Sequence, residues 1–357
     1  AYESNLRFEV GAPDLDAATL VGEDTTLEAS PSFPRPPLRV ALLGAGTVGL
    51  GVLEHLQQRP DTFDIVGVAC RNAVKAVNAG VPARWVRTDV KRFVRRADYD
   101  ILVEAIGAAE PAATLLEYAL RTGRDVVTVN KTAVSRHWDR LERARAIGAG
   151  QLRFSGAVGG AAPILATIAS IHRSHGVRAV DAVLNGTTNF VLDRMHDGRT
   201  LDDALHDARA AGFAEADPSA DIDGIDATEK ASIIIASCLG GRIAPRHVVR
   251  YSIRAVTPEG CALATTQSQR IRSVTAIRRD GDGWCALVGL RPLDKDAELA
   301  ALRDEWNGAV IKDEQGRTHF VSGRGAGRWP TAQAALADLL SLARLRAHSA
   351  AAERAAS

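Results

Sequence analysis

The 357-residue chain is poor in several things that would point to particular functions. It has four cysteines, Cys70, Cys238, Cys261 and Cys285, and none forms a CxxC pair. That spacing argues against a zinc site and suits a reducing, cytoplasmic setting. No apolar run reaches the ~18 residues of a membrane span, so none is expected. The N-terminus lacks the basic segment and apolar stretch of a secretory signal. Charge of one sign is also missing: Lys+Arg is 44, Asp+Glu is 43 and the net charge is +1. The chain therefore has no basic excess to bring it to nucleic acid or a membrane surface. Lysine is scarce, occurring only at positions 75, 91, 131, 230, 295 and 312, and arginine supplies the remaining positive charge.

What is present is ordinary for a soluble globular protein, with 46% hydrophobic and 24% charged residues. Residues 1–37 mix acids, Ser, Thr and Gly and end in Pro31-Ser32-Phe33-Pro34-Arg35-Pro36-Pro37. Such a segment neither continues a helix nor enters a sheet, and it reads as a flexible or loosely docked extension. From Leu38 the pattern changes. Short apolar runs at 38–43, 65–69, 101–105 and 126–129 alternate with helical spacing at 50–58, 88–96 and 111–121. This alternation predicts an α/β domain over 38–150, a Rossmann-type doubly wound parallel sheet. After residue 150 the rhythm becomes mixed. Strands are expected at 151–155, 178–184, 271–278, 284–291, 309–313 and 318–322, and helices near 161–173, 200–212 and 223–240. An α+β domain over 151–327 follows, then an amphipathic helix from about Pro330 to Arg346 within a last segment, 328–357.

Gly44-x-Gly46-x-x-Gly49 lies between a predicted strand and a predicted helix. In that context each glycine has a task. Gly44 allows the tight turn, Gly46 lets the backbone approach a pyrophosphate, and Gly49 lets helix and strand pack closely. Thr47 and Val48 then stand at the helix N-terminus, where phosphates bind. An NAD-preferring site places an acid after the second strand to hold the ribose 2′-hydroxyl. Here that strand ends Ala69-Cys70-Arg71-Asn72. With no acid and with Arg71 able to face a 2′-phosphate, NADP(H) is favoured over NAD(H). Gly107, after the strand at 101–105, is a further expected cofactor contact.

The segment from Gly212 to Lys230 is dense in acids and holds one lysine. Pro218 marks a loop, and Asp221 or Asp223 is expected to cap the helix that follows. Asp226 and Lys230 are four residues apart and share one helix face. An apolar run, Ala231 to Ala236, comes next. Lys230 thus stands where an exposed helix start becomes a core helix, a place lysine rarely takes without a partner. A surface ion pair is the plain alternative. The scarcity of lysine argues against it, since arginine is this chain's usual cation. A dehydrogenase also needs a proton donor that titrates, as lysine can and arginine effectively cannot.

Taken together, these motifs resemble the homoserine dehydrogenase family. The resemblance rests on Gly44–Gly49, Val129-Asn130-Lys131, the run Gly156 to Ile164, Asn185-Gly186-Thr187-Thr188-Asn189-Phe190, the Glu215–Lys230 segment and Gly323 to Ala332. It spans about residues 38–346. It implies NAD(P)H-dependent, reversible reduction of L-aspartate 4-semialdehyde to L-homoserine, in threonine and methionine biosynthesis, by a homodimer acting on a small molecule. It implies Lys230 as proton donor, Glu215 and Asp226 holding substrate with Asn185, Thr187 and Thr188 nearby, and Lys131 beside the nicotinamide. Gly327 would approach the cofactor as the chain's end returns to the first domain. Sodium or another monovalent ion would rest on backbone carbonyls of Ser155, Val158, Gly160 and Ala162. Ser155 stands where the family often has glutamate, Gly156-Ala157 replaces a commoner Ala-Ser or Ala-Thr, and Val129 replaces a usual alanine. No regulatory C-terminal domain, and hence no threonine feedback through one, is expected. Two other readings fit some of these features: a related amino-acid dehydrogenase with altered substrate, and a non-catalytic NAD(P) sensor.

Overall fold

The computed structural model describes residues 36–325 and 327–356, so the extension read at 1–37 lies, up to residue 35, outside the described residues. The first half alternates strands and helices: β1 (Leu38–Leu43), α1 (Thr47–Gln57), β2 (Phe63–Ala69), α2 (Ala73–Asn78), β3 (Val86–Arg87), α3 (Val90–Arg96), β4 (Ile101–Glu104), α4 (Ala109–Arg121), β5 (Asp125–Thr128), α5 (Lys131–Gly148) and β6 (Leu152–Arg153). The strands form one parallel sheet in the order β3-β2-β1-β4-β5-β6. All of β4 and β5 is buried, and only Arg39 interrupts the burial of β1. Apolar residues run continuously along these strands because helices cover both faces. α4 and α5 pack on one face through Leu116, Leu120 and Leu141. α1 packs on the other, through Val52 and Leu56.

The second half contains α6 (Ile164–His175), β7 (Val177–Val183), α7 (Gly186–His196), α8 (Leu201–Ala210), α9 (Ser219–Ile222), α10 (Ile225–Cys238), β8 (Val249–Arg250), α11 (Pro258–Thr266), β9 (Gln269–Asp280), β10 (Gly283–Asp294), α12 (Glu298–Ala301), β11 (Trp306–Asp313), β12 (Thr318–Arg324) and α13 (Arg328–Ala356). Its mixed sheet has the order β12-β11-β7-β9-β10-β8. α6 and α10 bury Ile168, Ile233 and Ile234 against it. α13 crosses back to the first sheet, where Leu336, Leu339 and Leu342 join the core around α1. Among the described residues no helix is long and apolar enough to cross a membrane.

Six helices do not follow from the sequence pattern: the short α2, α9 and α12, and α5, α11 and most of α7. α5 buries little beyond Ala133, Val134, Ser135, Leu141 and Ala144, so its apolar stripe is faint. α13 also runs past Arg346 to Ala356. Its apolar period ends there, but an alanine-rich stretch without a breaker continues the helix by propensity alone.

β1 has β2 on one side and β4 on the other. Loops leaving β1 and β4 therefore diverge, and a crevice opens beyond their carboxyl ends, the usual ligand position in such sheets. The glycine turn that fills this point is sterically determined. Gly44 has φ +99°, and a Cβ there would lie 2.4 Å from the Ala105 carbonyl oxygen. A Cβ on Gly49 would lie 2.1 Å from the Gly44 carbonyl oxygen, whereas one on Gly46 would meet nothing within 4 Å. Gly49→Ala is expected to cost about 1–3 kcal/mol of stability, the range for overpacking. Gly46→Ala should leave stability nearly unchanged and, on the sequence expectation, weaken dinucleotide binding. Urea unfolding and fluorescence titration of the two variants check the contrast.

Candidate active site

A cleft of about 820 Å³ runs between the two sheets' domains. Gly46, Thr47 and Val48 line one end, at the start of α1. That helix has no side-chain N-cap, so its first N–H groups are free of side-chain acceptors. Gly107 and Lys131 lie along the middle, and Asn185, Thr187, Glu215, Asp221, Asp226 and Lys230 line the other end. The segment Gly327 to Thr331 forms part of the wall.

The polar end is organised by Asp226, which is 6% exposed on the first turn of α10. One carboxylate oxygen, Oδ1, lies 3.1 Å from Lys131 Nζ. The other, Oδ2, lies 2.7 Å from Lys230 Nζ and accepts from Asn185 Nδ2 at 2.9 Å. Lys230 Nζ also donates to the Leu184 carbonyl at 2.5 Å. Lys230 is 9% exposed, so the pair is not a solvated surface contact. Burial by itself would raise the Asp226 carboxyl, but Lys230 and Lys131 outweigh it and hold it well below the usual carboxylate range. Asp226 in turn raises Lys131 above its ordinary value against the effect of burial. The site thus pairs two lysines from different helices with one charged carboxylate.

Asn185 does two jobs. Its Oδ1 accepts the Thr188 N–H and caps α7, while Nδ2 bridges Asp221 Oδ1 at 2.7 Å and Asp226 Oδ2. Burial raises the Asp221 carboxyl. Neither Asp221 nor Asp223 caps α10, contrary to the sequence expectation. Gly224, at φ +75°, turns the chain between α9 and α10 and takes the cap position. Asp221 is left to Asn185, and Asp223 goes to Ser252 and Arg254.

The other expected residues divide between the cleft and its frame. Glu215 is exposed at the cleft wall. Thr187 also lines it, its hydroxyl donating to the Phe213 carbonyl. Thr188 is buried and spends its hydroxyl on the Asn185 carbonyl. Gly44 and Gly49 lie under the glycine turn rather than on the cleft. Arg71 is exposed just past β2, away from the cleft lining. Ser155, Val158, Gly160 and Ala162 belong to the turn before α6. The Ser155 N–H and hydroxyl both donate to buried Asp338 of α13, at 2.8 and 2.7 Å. Val129 and Gly156 both line the cleft and pack together: a Cβ on Gly156 would lie 2.9 Å from Val129 Cγ1.

Glu104, not among the residues expected from the sequence to serve the site, ends an otherwise apolar buried strand. It is fully buried at the tip of β4 and accepts from the Ile106 N–H, the Thr128 hydroxyl and Asn130 Nδ2. Asn130 caps α5, so this carboxylate steadies the start of the helix that carries Lys131. Among the described residues no three His, Cys, Asp or Glu gather to hold a metal ion.

The shifts at Asp226 set an acid-stability prediction. A carboxyl whose folded value is depressed contributes fully above its unfolded value, about 3.9, and loses that contribution as pH falls further. Asp226→Asn leaves two lysines without their buried partner and is expected to cost about 3–5 kcal/mol. The difference in unfolding free energy from the unsubstituted protein should stay constant from about pH 5 to 8 and shrink below about pH 4. Denaturant melts across that range measure it.

The family profile described as "Homoserine dehydrogenase, NAD binding domain" matches residues 44–154, and that described as "Homoserine dehydrogenase" matches residues 163–340. The chain is 31% identical over 317 residues to homoserine dehydrogenase of Synechocystis sp., covering 85% of this chain and 73% of that one. It is 32% identical over 326 residues to that of Mycobacterium tuberculosis, covering 87% and 73%. The crystal structure of a homoserine dehydrogenase from Thiobacillus denitrificans superposes with a TM-score of 0.82 at 32% identity, over 88% of this chain and 74% of that chain. The two profiles, the relatives and the solved structure agree, and the chain belongs to the homoserine dehydrogenase family of oxidoreductases.

Proposed function

We propose that the protein catalyses the reversible reduction of L-aspartate 4-semialdehyde to L-homoserine, with NADP(H) favoured over NAD(H), as a step toward threonine and methionine. The observation that carries this reading is Lys230: a buried lysine 2.7 Å from Asp226, in the cleft that also holds the glycine turn. The turn suits a dinucleotide, since Gly46 has open space where a Cβ would stand and the start of α1 has no side-chain cap. A bound reduced nicotinamide supplies the hydride.

The chain's own residues do the rest. Lys230 holds a proton at Nζ and gives it, directly or through water, to the oxygen of the reacting aldehyde. Asp226, 2.7 Å away, aims the Lys230 ammonium. Lys131 adds a second preorganised positive charge near the developing alkoxide. Glu215 receives the substrate ammonium at the open wall of the cleft, and Asn185 and Thr187 offer polar contacts beside it. Thr47, Val48 and Gly107 face the cofactor, with Gly327 opposite.

A sodium or other monovalent ion would be held by the carbonyls of Ser155, Val158, Gly160 and Ala162. In support, Gly159 and Gly160 are left-handed at φ +83° and +56°. The carbonyl oxygens of Arg324 and Gly325 stand 2.8 and 2.6 Å from where a Gly160 Cβ would be, so backbone oxygens converge on this turn. A reducing compartment such as the cytoplasm suits the four free cysteines.

A homodimer fits the second sheet. The outer edge of β10 is paired by β8 only at Leu287 and Val288. The long strand otherwise has an open edge among the described residues, and a second copy would cover it. Sedimentation should give a dimer at micromolar concentration, and a monomer would remove the claim.

Two substitutions test the chemistry. Lys230→Ala should lower turnover by ~10²–10⁴-fold, the usual worth of a general acid, with little change in dinucleotide affinity. Retention of more than about a tenth of the turnover, with chemistry rate-limiting, would overturn the role, given that general acids contribute at least ~10²-fold. Arg71→Ala should raise the KM for NADPH by about 10- to 100-fold and leave that for NADH nearly unchanged, since a charged hydrogen bond is worth roughly 1.5–3 kcal/mol. The ratio of kcat/KM with the two cofactors, before and after the change, decides it.

A further inference from the structure

Glu229 precedes the proposed proton donor on α10 and is only 3% exposed. It does not line the cleft. Its Oε2 accepts from the Thr132 hydroxyl at 2.9 Å. Its Oε1 accepts from Arg136 Nε at 3.1 Å, with Arg136 Nη2 3.0 Å away. Thr132 and Arg136 belong to the first turns of α5, the helix that begins with Lys131. The same two helices meet again at Lys131 and Asp226. Asp226 and Glu229 are three residues apart and so lie on one face of α10.

The start of α5 is therefore attached to α10 at two buried carboxylates. One of them is the carboxylate that also holds Lys230. We propose that Glu229 is a positioning residue: by fixing α5 against α10 through Thr132 and Arg136, it sets the placement of Lys131 relative to Lys230 across Asp226. The inference rests on the reading that these two lysines serve the reaction.

Stability alone is a poor reason for the arrangement. Arg136 is 55% exposed, and an ion pair with one partner in solvent contributes little to stability. Its directional bonds, however, fix a register that apolar packing would leave adjustable. The surroundings of Glu229 are basic. Arg136 binds it from α5, and Arg246 and Arg250 line the same small hollow with Ser135 and Thr228. Glu229 in turn adds to the negative charge from Asp226 and Asp221 that favours the charged form of Lys131.

The test is the single-turnover rate of hydride transfer per dinucleotide site in the full chain, with sites counted by fluorescence titration with NADPH. Glu229→Gln is expected to lower that rate by about 10- to 100-fold, the scale of a small misplacement of reacting groups. The KM values for NADPH and substrate should stay within about twofold, as positioning rather than binding is lost. Arg136→Met should reproduce the loss. The double variant should be no slower than the slower single one, since both break one linkage. A merely structural role would lower the melting temperature or the number of sites and leave the rate per site unchanged, and that result overturns the proposal. If Glu229→Gln does not fold, Thr132→Val removes one bond only. It should still slow the per-site rate measurably, and an unchanged rate there also overturns the proposal. Lys230→Ala separates the two levels: a nearly unaffected Lys230→Ala sinks the catalytic reading, whereas an inactive one beside an unaffected Glu229→Gln sinks only the positioning role.

Discussion

The structure of the cleft depends on one buried carboxylate shared between two lysines. Asp226 could not stay charged at 6% exposure without Lys230 and Lys131, and removing it would leave the buried Lys230 without its carboxylate. The three groups come from two helices that are distant in sequence. Their mutual requirement therefore fastens α5 of the parallel-sheet domain to α10 of the mixed-sheet domain. Asn185, which caps α7 while bridging Asp221 and Asp226, attaches a third element to the same point. The polar end of the cleft is thus a cross-link of the fold as well as a candidate seat of chemistry.

At the other end of the cleft the constraint is steric. The glycine turn lies where the strand order reverses, and two of its three glycines are packed too tightly for any side chain. Gly46 alone is open, and it alone of the three lines the cleft. A backbone surface that a phosphate can approach and a backbone close enough to the sheet to make the turn are thus supplied by different glycines of one short motif. α13 closes this region. It is the last helix in the chain, yet it packs beside α1, and its Asp338 holds the turn at Ser155.

The wall between these two ends is also tightly packed. Val129 fills the space beside Gly156, where a Cβ would lie 2.9 Å from Val129 Cγ1. Ser155 engages a carboxylate from α13 through both its N–H and its hydroxyl.

The alternating domain, the glycine turn and the Asp226–Lys230 face were legible in the sequence because each rests on local rules. Parallel strands buried on both faces read as apolar runs, a phosphate-facing turn needs glycine at fixed spacing, and residues four apart on a helix are neighbours. α5 was not legible, since its apolar stripe is faint, and the end of α13 was hidden once its period stopped. Nor could local spacing indicate that Lys131 would meet Asp226, that Asn185 would bridge two aspartates, or that Glu229 would bind Thr132 and Arg136. Those partners lie between 36 and 97 residues apart in the chain. A buried charge requires some partner, which sequence can anticipate. The identity of that partner is decided only when packing brings distant helices within hydrogen-bonding distance.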